Sequence, residues 1–115
     1  MNELEKIRNL ISKFAVDRDW DQFHSPKNLS MALAAESGEL LEQFQWLTEE
    51  QSKTLPSERL RNVEGELADI QIYLIRLADK LNINIIEAVH KKIEVNEKKY
   101  PVDKVKGSAK KYDEY

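Results

Sequence analysis

One long apolar repeat constrains the fold of this chain more than any other feature. Between residues 60 and 81, apolar side chains recur at alternating spacings of three and four, at Leu60, Val63, Leu67, Ile70, Leu74, Leu77 and Leu81. This period places them along one face of a helix, and such a long face is typical of packing in helical bundles. The sequence therefore predicts a long amphipathic helix that packs against other helices.

Three further segments show helical spacing. Ser-Pro marks the start of the second helix, Asn marks the start of the fourth, and Pro marks the end of the fourth. They cover about residues 2 to 18, Ser25-Pro26 to about Leu47, and Asn82 or Asn84 to Tyr100-Pro101. Residues 48 to 56 lack a period and are interpreted as a connector. Four helices with short connections predict an all-α, four-helix bundle fold.

The length and the C-terminal sequence set the expected organisation. A chain of 115 residues fits one domain with a thin core, so we expect subunits to associate, as a tetramer rather than a dimer. We expect residues 1–101 to form the helical domain. Residues 102–115 contain several lysines without a sustained period, which predicts a basic tail that is flexible or conditionally ordered.

Charge and composition argue against several classes of function. The formal net charge of -3 provides no overall attraction for DNA or RNA, so no nucleic-acid partner is expected. The sequence has no cysteine, which excludes disulfides and thiolate metal sites. No run approaches the roughly 18 apolar residues of a membrane span. We therefore expect a cytoplasmic protein without a membrane anchor.

Two pairs of acidic residues lie on the second and third predicted helices, and one of the acids, Glu36, interrupts an apolar stripe. Glu36 and Glu39 share a side of the second helix, and Glu66 and Asp69 do so on the third. If these helices pack antiparallel, the carboxylates converge, and their burial requires a compensating cation. Oxygen-only ligands favour Mg²⁺, Mn²⁺ or Ca²⁺ over zinc, and Mg²⁺ leaves coordination positions for phosphates. Ordinary surface charge is the alternative explanation.

A dinuclear iron centre is a second way to use carboxylates on a helical bundle. Such centres normally contain two Glu-x-x-His repeats, whereas this chain has the single pair Glu87 and His90. We therefore assign these two residues no metal and expect them on the surface of the fourth helix.

The acidic pairs, Glu36-x-x-Glu39 and Glu66-x-x-Asp69, resemble the metal signature of the all-α, MazG-like nucleotide pyrophosphohydrolases. Other parts of the chain resemble the dCTP pyrophosphatase branch of this family, namely residues 18–24, 26–29 and 44–46, Asn96, Tyr100-Pro101 and Lys111-Tyr112. The resemblance covers nearly the whole chain. It implies Mg²⁺-dependent hydrolysis of a nucleoside triphosphate, dCTP or modified dCTP, to its monophosphate and pyrophosphate, with Mn²⁺ as a substitute metal.

The resemblance also implies roles for individual residues. All four acids bind metal, and Glu39 is our candidate for orienting or deprotonating the attacking water. Trp20 and Trp46 lie at the positions that contact the base, and Phe23 and His24 help to close the pocket. Neighbouring subunits help to assemble the site. For each aromatic residue, core packing is the alternative.

Several residues are candidates for contact with the sugar or the phosphates. Lys27 and Asn28 begin the second helix, where side chains and backbone amides suit phosphate oxygens. Tyr73 lies one turn after Asp69, and we expect either a sugar or phosphate contact or interface packing. The remaining candidates are basic or amide side chains, Lys92 and Asn96 on the fourth helix and Lys110 and Lys111 in the tail.

One departure from the branch bears on selectivity. Its members carry a histidine near the base in the first helix, whereas this chain has Ile11, Ser12 and Phe14 there. Base discrimination through a hydrogen bond therefore differs. Two alternatives stay open, a related pyrophosphohydrolase acting on another nucleotide and a non-catalytic helical protein that only oligomerises or binds a partner.

Overall fold

The structure is a computed structural model that describes residues 1–108. Within that range, the regular elements are all helical: α1 (Glu3–Asp17), a 3-10 turn (Asp21–Phe23), α2 (Pro26–Glu42), α3 (Glu49–Ser52), α4 (Ser57–Lys80), α5 (Ile85–Lys99) and α6 (Val102–Val105). The predicted all-α class is confirmed. The chain divides into two compact units, Met1–Asn82 and Ile83–Tyr115. The boundary predicted at residue 101 stays a prediction.

Side-chain caps explain where most helices begin. Asn2 and Glu5 form a reciprocal capping box at the start of α1. The Ser25 hydroxyl accepts from the Asn28 amide and Pro26 occupies the first turn of α2, as the sequence predicts. Of the two asparagines considered for α5, Asn84 is the cap, because its side chain accepts from the amide of Glu87.

Asn82 has a different task, at the end of α4. Its φ of 55° lies in the left-handed region, which asparagine tolerates better than most residues. Its amide donates to the carbonyl of Asp79 over 3.1 Å, closing the last turn. Asn82 therefore ends α4, and Asn84 starts α5.

The second helix is shorter than predicted, and the connector after it is partly helical. α2 ends at Glu42 instead of about Leu47. Beyond it, the Phe44 amide bonds to the Leu41 carbonyl three residues back, and Arg59 donates to the Gln43 carbonyl over 2.5 Å. These bonds replace the helical ladder. Thr48 then starts α3 with a capping box, a signal that the interpretation as a connector missed.

In the first unit, α2 and α1 both pack against the long helix α4. The start of α2 lies near the end of α4, because His24 contacts Arg76. The end of α2 lies near the start of α4, because Arg59 contacts Gln43. The two helices are therefore antiparallel. The buried apolar side chains of this unit are Ala15, Leu29, Val63, Ile75 and Ala78.

The second unit contains α5 and α6. α6 begins at Val102 and so forms a helical turn at the start of the predicted tail. Four residues are too few to show a helical period in sequence, which is why the turn was not predicted. Lys110 and Lys111 lie outside the described residues. None of the described helices is long and apolar enough to cross a membrane.

Candidate metal centre and aromatic loop

Three of the four predicted carboxylates converge between α2 and α4. One oxygen each from Glu36, Glu39 and Glu66 lies within 4.8 Å of the others, close enough to hold one metal ion. The arrangement forms where α2 packs against α4, which brings Glu36 and Glu39 of α2 close to Glu66 of α4. Glu39 is exposed, whereas Glu36 and Glu66 are partly buried. The cluster therefore has an outer carboxylate and an inner pair.

The inner pair is electrostatically frustrated. The Oε2 atoms of Glu36 and Glu66 are buried and have no hydrogen-bond partner among the described residues. A proton shared with Glu66 is the largest cause that raises the pKa of Glu36 to about 7, followed by burial and by Glu39 and Asp69. Unpaired buried oxygens of this kind fit a cation. The donor set, oxygen only, fits a hard divalent ion.

Asp69 lies one turn after Glu66 on α4 and is exposed. It is not among the three carboxylates that converge within 4.8 Å. Its negative charge nevertheless contributes to the raised pKa of Glu36. Its role as a metal ligand stays a prediction.

Residues 18–24, called here the aromatic loop, leave α1 through a defined turn. The Trp20 amide donates to the Ala15 carbonyl and the Asp19 amide to the Val16 carbonyl, while Asp19 has a φ of 55°. This is a Schellman motif, which normally favours glycine at the left-handed position. It presents Trp20 edge-on to Phe14, with ring centroids 5.7 Å apart. The turn thereby sets where the first tryptophan lies.

The far end of the aromatic loop is tied to α2 and α4. Asn28 donates from Nδ2 to the Phe23 carbonyl over 3.0 Å, so it has a structural role here. Arg76 of α4 binds the Asp21 carboxylate and donates from Nε to Nδ1 of His24 over 3.2 Å. Lys80 donates to the same Asp21 oxygen over 2.7 Å. The loop is therefore anchored by two cations of one helix.

Two residues of the aromatic loop, Asp21 and His24, have lowered pKa values. The hydrogen bond from Lys80 lowers the pKa of Asp21, with help from the charge of Arg76 and against partial burial. Burial is the main cause that lowers the pKa of His24, and the Arg76 charge adds to it. Arg76 was not predicted as a site residue. The available signal was a lone arginine between Ile75 and Leu77 in an apolar stretch.

The remaining candidates differ in how exposed their side chains are. Trp46 is 86% exposed and Trp20 is 46% exposed, and Phe23 is exposed as well. Neither tryptophan is buried in the core of its own chain. Tyr73 is partly buried on α4, Lys27 is exposed at the start of α2, and both assignments stay predictions. Lys92 and Asn96 are exposed one turn apart on α5 of the second unit.

Acidic pairs on neighbouring helices are one way in which helical bundles build oxygen-ligand metal sites, and the three converging carboxylates of this chain could hold a metal ion. The model of the MazG-like family matches residues 31–115 of this chain. The chain belongs to the MazG-like family, which confirms the resemblance noted in its sequence.

Individual relatives agree with this assignment. The dCTP pyrophosphatase 1 of Bos taurus is 46% identical over 112 residues, 95% of this chain and 66% of that protein. The dCTP pyrophosphatase 1 of Homo sapiens is 42% identical over 114 residues, 96% of this chain and 66% of that protein. The chain thus spans just under two thirds of the length of these curated relatives.

A solved structure shares the fold. The crystal structure of a pyrophosphatase from Archaeoglobus fulgidus is 40% identical in sequence and superposes with a TM-score of 0.83. The match covers 88% of this chain and 94% of that chain. The chain therefore shares the helical fold of that pyrophosphatase.

Proposed function

We propose that the protein is a Mg²⁺-dependent nucleoside triphosphate pyrophosphohydrolase that converts dCTP, or a modified dCTP, to its monophosphate and pyrophosphate. The relatives named dCTP pyrophosphatase 1, at 42% to 46% identity over about 95% of this chain, support the reaction and the substrate. Mn²⁺ is the expected substitute metal, because it also prefers oxygen ligands. We further propose that the enzyme acts in the cytoplasm as an oligomer, a tetramer rather than a dimer.

The single observation that carries this proposal is the pair of unpartnered oxygens. Oε2 of Glu36 and Oε2 of Glu66 are buried without a hydrogen-bond partner in residues 1–108. One oxygen of each carboxylate lies within 4.8 Å of an oxygen of Glu39. A buried carboxylate without a partner is costly, and two that lie close together are more so. When bound, Mg²⁺ neutralises phosphate charge and lowers the pKa of coordinated water.

The four acidic residues would have different roles in the mechanism. Glu36 and Glu66, on the inner side, would hold the metal together with Glu39, and Asp69 would complete the set from the next turn of α4. Glu39 is the exposed member of the cluster, so it faces the side from which water arrives. It is therefore our candidate for orienting or deprotonating the water that attacks between the α and β phosphates.

The aromatic residues would bind the base. Trp20 and Trp46 keep exposed rings in the single chain, which leaves them available for stacking. Phe23 and His24 lie in the same loop as Trp20. For the phosphates and sugar we retain the cations and polar groups identified in the sequence, Lys27, Asn28, Tyr73, Lys92, Asn96, Lys110 and Lys111.

The direct test is a substrate panel with purified protein. The four deoxynucleoside triphosphates, dUTP, 5-methyl-dCTP and the corresponding ribonucleotides are incubated with Mg²⁺, and pyrophosphate and orthophosphate are quantified separately. We expect pyrophosphate from the cytosine deoxynucleotides and no orthophosphate. Orthophosphate release would contradict cleavage between the α and β phosphates. A preference for dUTP would change the proposed substrate from dCTP to dUTP but would still support cleavage between the α and β phosphates.

A chelator control separates metal chemistry from contamination. Hydrolysis should stop in EDTA and return with Mg²⁺ or Mn²⁺, and the Glu39→Gln variant should stay inactive in either metal. Glu42→Gln, on the same helix but outside the cluster, is the matched control and should retain activity. If none of the nucleotides is hydrolysed in either metal, the non-catalytic alternative is favoured.

A further inference from the structure

We propose that Arg76 is a positioning residue that fixes the aromatic loop to α4 and holds His24 as the neutral tautomer with its proton on Nε2. Arg76 is 4% exposed although it carries a permanent charge. A buried guanidinium is tolerated only when its donors are satisfied. Two of its partners, Asp21 and His24, come from the aromatic loop. Its burial therefore depends on the position of that loop.

Arg76 and Lys80 work together on one acceptor. Both donate to Oδ1 of Asp21, and Arg76 also lies 3.7 Å from the carboxylate of Asp79 on its own helix. Asp21 is the residue that begins the 3-10 turn between Trp20 and His24. Holding this carboxylate fixes the middle of the loop, and the contact with His24 fixes its end. A shift of the loop would leave Arg76 buried without its main partners.

The contact with His24 also decides where its proton lies. A guanidinium donates and cannot accept, so Nδ1 of His24 has to be the acceptor of the bond from Arg76 Nε. In a neutral imidazole the single proton is then on Nε2. Burial and the positive charges of Arg76 and Lys80 lower the pKa of His24 against the opposing charge of Asp21. His24 is thus a neutral hydrogen-bond donor through Nε2.

The same helix carries the acidic residues, which sets the distance between the two parts of the site. Arg76 follows Tyr73 by three residues and Asp69 by seven, so all three lie along one side of α4. Seven residues correspond to about 10 Å of helical rise. In a nucleotide the sugar separates the base from the reacting phosphates. Arg76 thus fixes the height of the aromatic loop relative to the carboxylates.

The tautomer can be measured without any substrate. The protein has two histidines, so the imidazole signals of ¹⁵N-labelled protein are assigned with a His90→Gln variant. At pH 7.5 we expect an unprotonated Nδ1 and a protonated Nε2 for His24. In Arg76→Lys, which keeps the charge but lacks Nε, the two nitrogens should move toward the averaged values of a free imidazole. A wild-type His24 protonated on Nδ1 would overturn the assignment.

The kinetic test rests on the proposed function. Both Arg76→Lys and Asp21→Asn should raise the KM for dCTP about tenfold while changing kcat less than about twofold, because base binding is lost and the chemistry is not. Asp21 is at the surface, so Asp21→Asn tests whether the contact between Arg76 and the aromatic loop affects base binding even if Arg76→Lys folds poorly. Asp79→Asn, which removes a partner of Arg76 outside the loop, is the matched control and should keep the wild-type KM.

The outcomes separate the two proposals. An unchanged KM in both loop variants would overturn the positioning role while leaving the reaction intact. Equal losses in kcat for the loop variants and for Asp79→Asn would indicate a general structural role and would also overturn it. If the wild-type protein hydrolyses no nucleotide, the proposed function fails, whereas the histidine tautomer and its response to Arg76→Lys still decide the role of Arg76.

Discussion

Glu36 on α2 and Glu66 on α4 each bury one carboxylate oxygen that has no hydrogen-bond partner among the described residues. Two like charges in this position repel, and the protein has two ways to relieve the repulsion. A proton shared by the pair is one, and it accounts for the raised pKa of Glu36. A cation bound between them is the other. The pair therefore couples protonation, metal binding and stability.

The metal-free protein should lose stability as the pH rises. Because the pKa of Glu36 is raised from 4.5 to about 7, the folded state holds a proton that the unfolded state has already released between these values. The contribution of protonated Glu36 to the free energy of unfolding is fully present below about pH 4.5 and is lost as the pH rises through about 7. The expected loss is on the order of 1 to 3 kcal/mol. Urea unfolding in EDTA at pH 5, 7 and 8.5 measures it.

Two variants make this measurement specific to the pair. Glu36→Gln cannot ionise, so its stability should fall less than that of wild type over the same pH range. Glu42→Gln neutralises an exposed acid of the same helix and should follow wild type. An identical pH dependence in wild type and Glu36→Gln would contradict the assigned coupling.

Metal binding should stabilise the protein through the same carboxylates. A ligand that binds only the native state raises the Tm by mass action, about 2.7 kcal/mol of stabilisation at one hundred times the Kd. We expect the Tm of wild type to rise with Mg²⁺ and to rise less in Glu36→Gln, Glu39→Gln, Glu66→Gln and Asp69→Asn. Differential scanning calorimetry measures the response. The same four variants should lose most hydrolysis while staying folded.

The result for Asp69→Asn is the most informative of the four. Asp69 lies outside the group of three carboxylates that converge within 4.8 Å. If Asp69→Asn responds to Mg²⁺ like wild type, the metal is held by Glu36, Glu39 and Glu66 without it. Equal Mg²⁺ responses in wild type and all four variants, with pyrophosphate release retained, would remove the metal site altogether.

Replacing either tryptophan should weaken substrate binding more than catalysis. Stacking of an aromatic side chain on a base contributes roughly 1 to 3 kcal/mol in nucleic-acid sites. Trp20→Ala and Trp46→Ala should therefore raise the KM for dCTP severalfold or more, with a smaller change in kcat. Trp46 is 86% exposed, so its loss should barely change the Tm of the isolated subunit. Wild-type affinity for dCTP in calorimetry of both variants would disprove the assignment.

The helices and the inner acids could be predicted from the sequence because both depend on period. Spacings of three and four predict the long helix α4, although Leu60, Leu67 and Leu81 of that stripe are exposed in the single chain. The same spacing reveals Glu36 as an acid on an apolar side. The predicted all-α fold and the MazG-like family are confirmed. The cap at Ser25 was also predicted, because a serine directly before a proline marks a helix start. For α5 the sequence offered Asn82 and Asn84, and the structure assigns the cap to Asn84.

The contacts of the aromatic loop could not be predicted, because they join residues far apart in the chain. Arg76 lies 52 residues from His24 and 55 from Asp21. Local patterns do not report such pairs, and an arginine on a helix is usually solvated. The end of α2 also involves a distant residue, since the carbonyl of its C-cap, Gln43, accepts a hydrogen bond from Arg59 of another helix.

The exposed apolar side chains of the first unit predict an assembly larger than one chain. Leu10, Leu41 and Leu67 are 67%, 59% and 54% exposed in the single chain, although each lies on a helix rather than in a loop. Leaving such faces in water is unfavourable by about 25 cal/mol for each Å². Multi-angle light scattering should therefore give a mass well above the 13.4 kDa of the chain, close to that of a tetramer.

A charge placed on one of these faces tests whether the assembly also completes the site. Leu67→Glu would add a carboxylate beside Glu66 and could disturb the metal site directly. Leu41→Lys on α2 is therefore the better substitution for testing the assembly. It should lower the mass and, because neighbouring subunits are expected to help assemble the site, it should also lower dCTP hydrolysis. Glu49→Lys, on exposed α3, is the charge control and should change neither. A stable wild-type monomer at micromolar concentration, active toward dCTP, would show that one chain is sufficient.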